Sequence, residues 1–222
     1  ENNGTRENIS EPASNDNSYR KMRNDITILV DKSGSMNGEP LKMAHEIIKD
    51  IIFSFHELHD DLYSRHEYIR IVSYNSNPHE ELHYHEISYI RKTRPKGIDL
   101  EMGMVQPPFF NFNGHGPKCL GKAIEYVCDN NPSNILLIIT KGTPSDILYF
   151  RNIISKCKTI YDKIYVFHGN FSKKQIYEEL TDKIFHWNEI NFLELVKQMF
   201  DINKSKIGEE LSAPPRVIEI SI

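Results

Sequence analysis

The sequence is poor in cysteine, in positive charge and in long apolar runs, and each shortage narrows its class. Three cysteines in 222 residues, Cys119, Cys128 and Cys157, exclude a disulfide-dense scaffold, and an odd number cannot all pair within the chain. None falls in a CxxC pair. A reduced, cytoplasmic chain is the reading that follows. Asn-x-Ser/Thr triplets at Asn3, Asn8, Asn170 and Asn203 point the other way, but an asparagine-rich chain produces such triplets by chance. No apolar stretch approaches the ~20 residues that span a bilayer, so no membrane insertion is expected. Lys and Arg number 27 against 31 Asp and Glu, a net charge of −4, with no polybasic block. That balance argues against a nucleic-acid partner and against an acidic membrane surface. A chain of this length buries roughly 70% of its unfolded surface and folds without a disulfide or structural metal.

What is present is an alternation of strands and helices. Residues 1–24 carry almost no aliphatic side chains and are expected to form a disordered leader or linker. Residues 26–30, Ile-Thr-Ile-Leu-Val, and 134–140, Asn-Ile-Leu-Leu-Ile-Ile-Thr, are continuous β-prone runs, as in strands buried on both faces of a parallel sheet. Glu39-Pro40 opens a helix whose Leu41, Ala44, Ile47, Ile48, Ile51, Ile52 and Phe55 share one face. Residues 68–74 and 82–90 read as a hairpin across the turn residues Asn75-Ser76-Asn77-Pro78. Helices are predicted over 118–129, 145–158, 172–180 and 189–201, and strands over 162–168 and 183–186. The pattern implies an α/β fold, an open, mainly parallel Rossmann-like sheet with helices on both faces. The domain is expected over 25–202. A tail follows over 203–222, of which 216–222 alternates like a strand and is expected to pair with a sheet edge.

The chemistry concentrates after the first strand. Asp31, Ser33 and Ser35 lie at i, i+2 and i+4 in a tight loop at the carboxyl edge of the sheet, where open α/β folds bind ligands. Hard oxygens so spaced suit Mg²⁺. A polar loop that only caps the next helix accounts for the same residues. The wider context is more specific. Val30-Asp31-Lys32-Ser33-Gly34-Ser35 resembles the first metal-site motif, Asp-x-Ser-x-Ser, of von Willebrand factor A domains. Lys118-Cys119-Leu120-Gly121-Lys122-Ala123 resembles their second loop, Thr-x-x-Gly-x-Ala, and Ile139-Thr140-Lys141-Gly142-Thr143-Pro144-Ser145-Asp146 the third, Leu-Thr-Asp-Gly-x-x-Ser-Asp.

The resemblance implies a sheet with one antiparallel edge strand and a protein-recognition site on its top edge, where a metal takes a carboxylate from the partner. Here the family's Thr is Lys118 and its distal Asp is Lys141. Two unit charges roughly 4 Å apart repel by about 4 kcal/mol at an effective dielectric of 20, and a divalent ion doubles that. The expectation is therefore a site without cofactor, with the Lys141 ammonium in the metal position donating to Asp31 and the two hydroxyls. Mg²⁺ held by Asp31, Ser33 and Ser35 is the alternative, with Lys118 and Lys141 swung aside. Asp146 offers poor spacing for rescuing a metal.

Other signals weigh less. Gly116-Pro117-Lys118-Cys119-Leu120-Gly121-Lys122-Ala123 nearly spells a phosphate-binding loop, but Ala123 stands where Ser or Thr holds Mg²⁺. The resemblance explains its glycine and alanine by close packing. His79, His83 and His85 read either as zinc ligands or as a polar edge strand. Cys119 reads as a packing residue, though a helix N-terminus and Lys118 would activate a thiol there. Phe109, Phe110 and Phe112 either anchor a partner or tuck back onto the sheet. The expected function is a protein-interaction module whose partner is another protein, not an enzyme. A Mg²⁺-dependent adhesion domain and a hydrolase or nucleotide-binding enzyme are the alternatives.

Overall fold

A computed structural model describes residues 25–58, 67–87, 108–170 and 174–200. The readings for 1–24 and 203–222, including the strand over 216–222, lie outside the described residues.

Six strands form one sheet in the order β3-β2-β1-β4-β5-β6. They are β1 (Ile26–Asp31), β2 (Tyr68–Tyr74), β3 (Pro78–Glu86), β4 (Ile135–Thr140), β5 (Lys163–His168) and β6 (Ile184–His186). All neighbours are parallel except β2 and β3, the expected hairpin. The two continuous apolar runs are β1 and β4, side by side at the centre and buried throughout. A strand apolar on both faces is stable only between two layers, and two cores supply them. Helix α1 (Glu39–Glu57) covers one face with the predicted stripe, packed on Ile26, Ile28 and Val30 of β1 together with α5 (Phe192–Met199). Each large aliphatic or aromatic side chain so buried contributes about 1.5–3 kcal/mol. Helices α2 (Leu120–Asp129) and α3 (Ile147–Ile160) cover the opposite face over Leu29, Leu136 and Ile138. The short α4 (Gln175–Glu178) adds Tyr177 to that core.

The outer strand β3 stays polar. Its Glu80 pairs with the buried Arg70 at 2.9 Å and with His83 at 2.7 Å. Its Glu81 receives Lys32 at 3.0 Å and the Ser73 hydroxyl at 2.6 Å. The period-two alternation of a strand decides what the sheet offers at its carboxyl end. Leu29 and Asp31 face α2 and α3, as do Leu136, Ile138 and Thr140. The register sets Asp31 opposite Tyr74 on one side and beside Thr140 on the other, with Thr140 opposite His168. A row of four polar side chains therefore ends the central strands, and all four are buried.

Candidate functional site at the carboxyl edge of the sheet

Asp31 is fully buried, and both its carboxylate oxygens are engaged. Oδ1 accepts the Ser33 backbone N–H at 2.9 Å, which closes the first loop into the 3₁₀ turn Gly34–Met36. Oδ2 accepts the Thr140 hydroxyl at 2.8 Å and lies 2.7 Å from Lys118 Nζ. The Lys118 side chain is only 5% exposed, and its ammonium also donates to the Lys141 carbonyl. The Ser33 and Ser35 hydroxyls lie 3.1 Å apart, and Ser35 Oγ reaches the same Lys141 carbonyl at 3.4 Å. The three loops thus converge on one ammonium group, and it belongs to Lys118. The expectation that Lys141 fills this place is corrected. Thr140 turns its side chain to Asp31, and the next residue along the chain contributes its carbonyl instead. The half-buried Lys141 lines the mouth of the site.

The surrounding backbone holds this arrangement. Gly34 N–H donates to Gly116 at 3.1 Å, His115 N–H to Lys32 at 2.9 Å, and Lys32 N–H to Tyr74 at 2.7 Å. Gly114 approaches so closely that a β-carbon there would lie 2.6 Å from the Ser33 carbonyl. The second loop is tied to the third by Ser145, whose N–H donates to the Lys118 carbonyl at 2.8 Å and whose hydroxyl accepts the Lys118 N–H at 3.1 Å. In the third loop Gly142 has a φ of +92°, a conformation glycine adopts without strain. Its carbonyl accepts the Tyr177 hydroxyl at 2.7 Å and lies 3.1 Å from His168 Nε2. His168 Nδ1 accepts the Asn170 N–H at 3.0 Å, and its Nε2 also lies 3.2 Å from the Gly142 backbone nitrogen. Burial holds the His168 pKa below its usual value, and the Lys118 charge adds to the effect. Burial pushes the Tyr177 hydroxyl up. Thr140, His168 and Tyr177 were not singled out as site residues by sequence reasoning. Thr140 stands within the third-loop motif and His168 closes an apolar run, but only strand register reveals that they meet Asp31 and Gly142.

An open pocket of about 330 Å³ lies over these loops, lined in part by Ser33, Ser35, Lys118, Lys141, Thr143 and Ser145. The donor set does not fit a divalent ion. The one carboxylate already carries a backbone N–H, a hydroxyl and an ammonium, and a cation seated between Asp31 and the two serines would have to expel Lys118. Asp146 Oδ2 accepts the Lys122 N–H of the first turn of α2 at 3.2 Å, and its Oδ1 is buried with no hydrogen-bond partner among the described residues. Among the described residues no group of three or more His, Cys, Asp or Glu side chains could hold a metal.

The remaining candidates sort by burial. Phe109 and Phe110 are buried, so their rings belong to the core and are not exposed anchors. With the half-buried Phe112 they surround His45, ring centroids 5.5 to 5.8 Å away. Burial pushes the Cys119 thiol up, which counts against the alternative of an activated cysteine there. Gly121 has the packing role implied by the resemblance, since a β-carbon there would lie 2.6 Å from Phe150 N.

The sequence matches the von Willebrand factor type A domain over residues 25–192. No curated protein matches it significantly. Among solved structures the fold is similar to the PilB minor pilin from Streptococcus sanguinis, with a TM-score of 0.51, 13% identity and 86% of this chain covered. It is similar at a TM-score of 0.46 to manganese-loaded TRAP protein from Plasmodium vivax, with 16% identity over 79% of this chain and 72% of that one. Proximal thread matrix protein 1 from the mussel byssus, with a zinc-occupied MIDAS motif, gives 0.46 and 14% identity over 78% of this chain. The chain spans 63% of the length of the pilin and 45% of that of the byssus protein. Among the described residues no helix is long and apolar enough to cross a membrane.

Proposed function

The chain belongs to the von Willebrand factor type A family, and from that premise we propose that it is a protein-interaction module whose apical site works without a divalent ion, the Lys118 ammonium standing in the metal's place. The family's domains are in general interaction and adhesion modules. The observation that supports the metal-independent reading is the buried pair of Lys118 Nζ and Asp31 Oδ2 at 2.7 Å. An ammonium on the protein itself needs no ion to be dehydrated, and it leaves the loops preorganised. It also changes recognition. A partner's carboxylate finds no open coordination position, and Lys118 is already committed to Asp31 and the Lys141 carbonyl. Lys141 then remains as the cation at the mouth of the pocket. Binding fits this site better than catalysis, because both Asp31 oxygens are engaged and neither is left as a general base. One domain over 25–202, flanked by polar tails and working in the cytoplasm, completes the proposal.

Calorimetric titration of Mg²⁺ and Mn²⁺ tests it, using the wild-type chain and a variant carrying Lys118→Thr with Lys141→Asp. The variant restores the two missing ligand types and is expected to bind divalent ions, whereas the wild type is expected to show no stoichiometric binding. Tight one-to-one Mg²⁺ binding by the wild type would overturn the proposal and favour a Mg²⁺-dependent adhesion domain.

A further inference from the structure

A second constellation lies in the core between α2 and α3, below the carboxyl edge of the sheet. The two helices run parallel, and their backbones come close where Gly121 meets Phe150. Seven residues, about two helical turns, separate Gly121 from Cys128 and equally Phe150 from Cys157. Parallel packing with equal advance brings the two cysteines face to face in the last turn of each helix. The neighbouring residues confirm the register: Asp129 forms an ion pair with Lys156, and the Tyr161 hydroxyl donates to the Val127 carbonyl at 3.1 Å. Cys128 and Cys157 lie in the same buried cluster on this face of the sheet. Cys128 is 5% exposed and Cys157 fully buried, so a small reagent reaches Cys128 first. Cys119 stands apart at the other end of α2.

We propose that Cys128 and Cys157 form a peroxide-sensitive dithiol that closes to a disulfide strapping α2 to α3. Cys128 sulfur attacks one oxygen of hydrogen peroxide. The O–O bond breaks, the second oxygen leaves as water, and Cys128 becomes a sulfenic acid. Cys157 sulfur then attacks Cys128 sulfur, and the hydroxyl leaves with the Cys157 proton as a second water. Two thiols and one peroxide give one disulfide and two waters. The roles follow the environments. Cys128 is the more accessible of the two, and the neighbouring Cys157 thiol holds its pKa below the usual value. The strap joins the helix that follows Lys118 to the helix that follows the 141–146 loop, so it fastens together the two elements that carry the buried ammonium and its carbonyl acceptor.

The test treats the folded chain with hydrogen peroxide, counts thiols after denaturation, and maps linkages by mass spectrometry of unreduced peptides. Free thiols are expected to fall from three to one in the wild type and from two to none in Cys119→Ser. A peptide joining Cys128 to Cys157 is expected in both, reversed by dithiothreitol. In Cys157→Ser, Cys128 is expected to advance to sulfinic acid because no second thiol resolves it. An unchanged thiol count, a linkage through Cys119, or over-oxidation of Cys128 in the wild type overturns the proposal.

Discussion

Replacing Lys118 with methionine keeps the stem of the side chain and deletes its charge, and the consequence follows from the geometry around Asp31. The carboxylate is fully buried and has three donors, of which the ammonium at 2.7 Å is the only charged one. Lys118→Met leaves a buried anion with one N–H and one hydroxyl. Removing one partner of a buried pair costs about 3–5 kcal/mol, because the survivor keeps its desolvation penalty and loses its compensation. At about 2–4 °C per kcal/mol for a domain of this size, the melting temperature is expected to fall by roughly 6–20 °C. Asp31→Asn tests the opposite half, leaving the ammonium without its anion, and is expected to cost a similar amount. The double variant is expected to recover part of the loss, since neither charge is then buried alone. Urea unfolding of all four proteins gives the coupling energy directly. A Lys118→Met loss below about 1 kcal/mol, the magnitude of an exposed pair, would refute the buried, ammonium-held site.

Other outcomes follow from individual positions. His45 and His168 both have pKa values held below the usual 6.5 by burial, so between those values and 6.5 the unfolded chain binds more protons than the folded one. Stability is therefore expected to be full above about pH 7 and to decline as pH falls below 6.5, and a urea midpoint that does not change between pH 7 and 5 would contradict this. His45→Leu is expected to flatten that decline. Gly142→Ala forces a β-carbon into a φ of +92° and to 3.4 Å from Lys118 Nζ, and is expected to cost about 1 kcal/mol or more by thermal unfolding. Gly121→Ala sets a methyl 2.6 Å from the Phe150 backbone, and a loss of about 1–3 kcal/mol is expected from helix displacement. In the Lys118→Thr, Lys141→Asp variant, millimolar Mg²⁺ is expected to raise the melting temperature, while the wild-type value stays unchanged.

Much of this domain is legible in local sequence because its physics is local. The unbroken apolar runs of β1 and β4 require cover on both faces, and an alternating chain of strands and helices supplies it only as a doubly covered parallel sheet. The stripe from Leu41 to Phe55 identifies α1 and its buried face by spacing alone. The three separated motifs place Asp31, Ser33, Ser35, Lys118 and Lys141 at one edge, since each follows or precedes an element whose direction the fold dictates. Which lysine enters the site is a different kind of question. Lys118 and Lys141 carry the same charge on the same flexible stem, and nothing in their order distinguishes them. Strand register decides, by giving Thr140 to Asp31 and leaving the Lys141 carbonyl to receive the Lys118 ammonium. The same holds for Phe109 and Phe110, whose composition suits an exposed anchor or a core equally, and which His45 and the sheet draw inward. The meeting of Cys128 with Cys157 likewise depends on the relative advance of two helices separated by a strand. Residue type and spacing determine which elements form and which faces they bury. Which buried polar group satisfies which is decided only once packing fixes distances between residues far apart in the chain, because desolvated charges and hydrogen bonds depend on geometry at the scale of single ångströms.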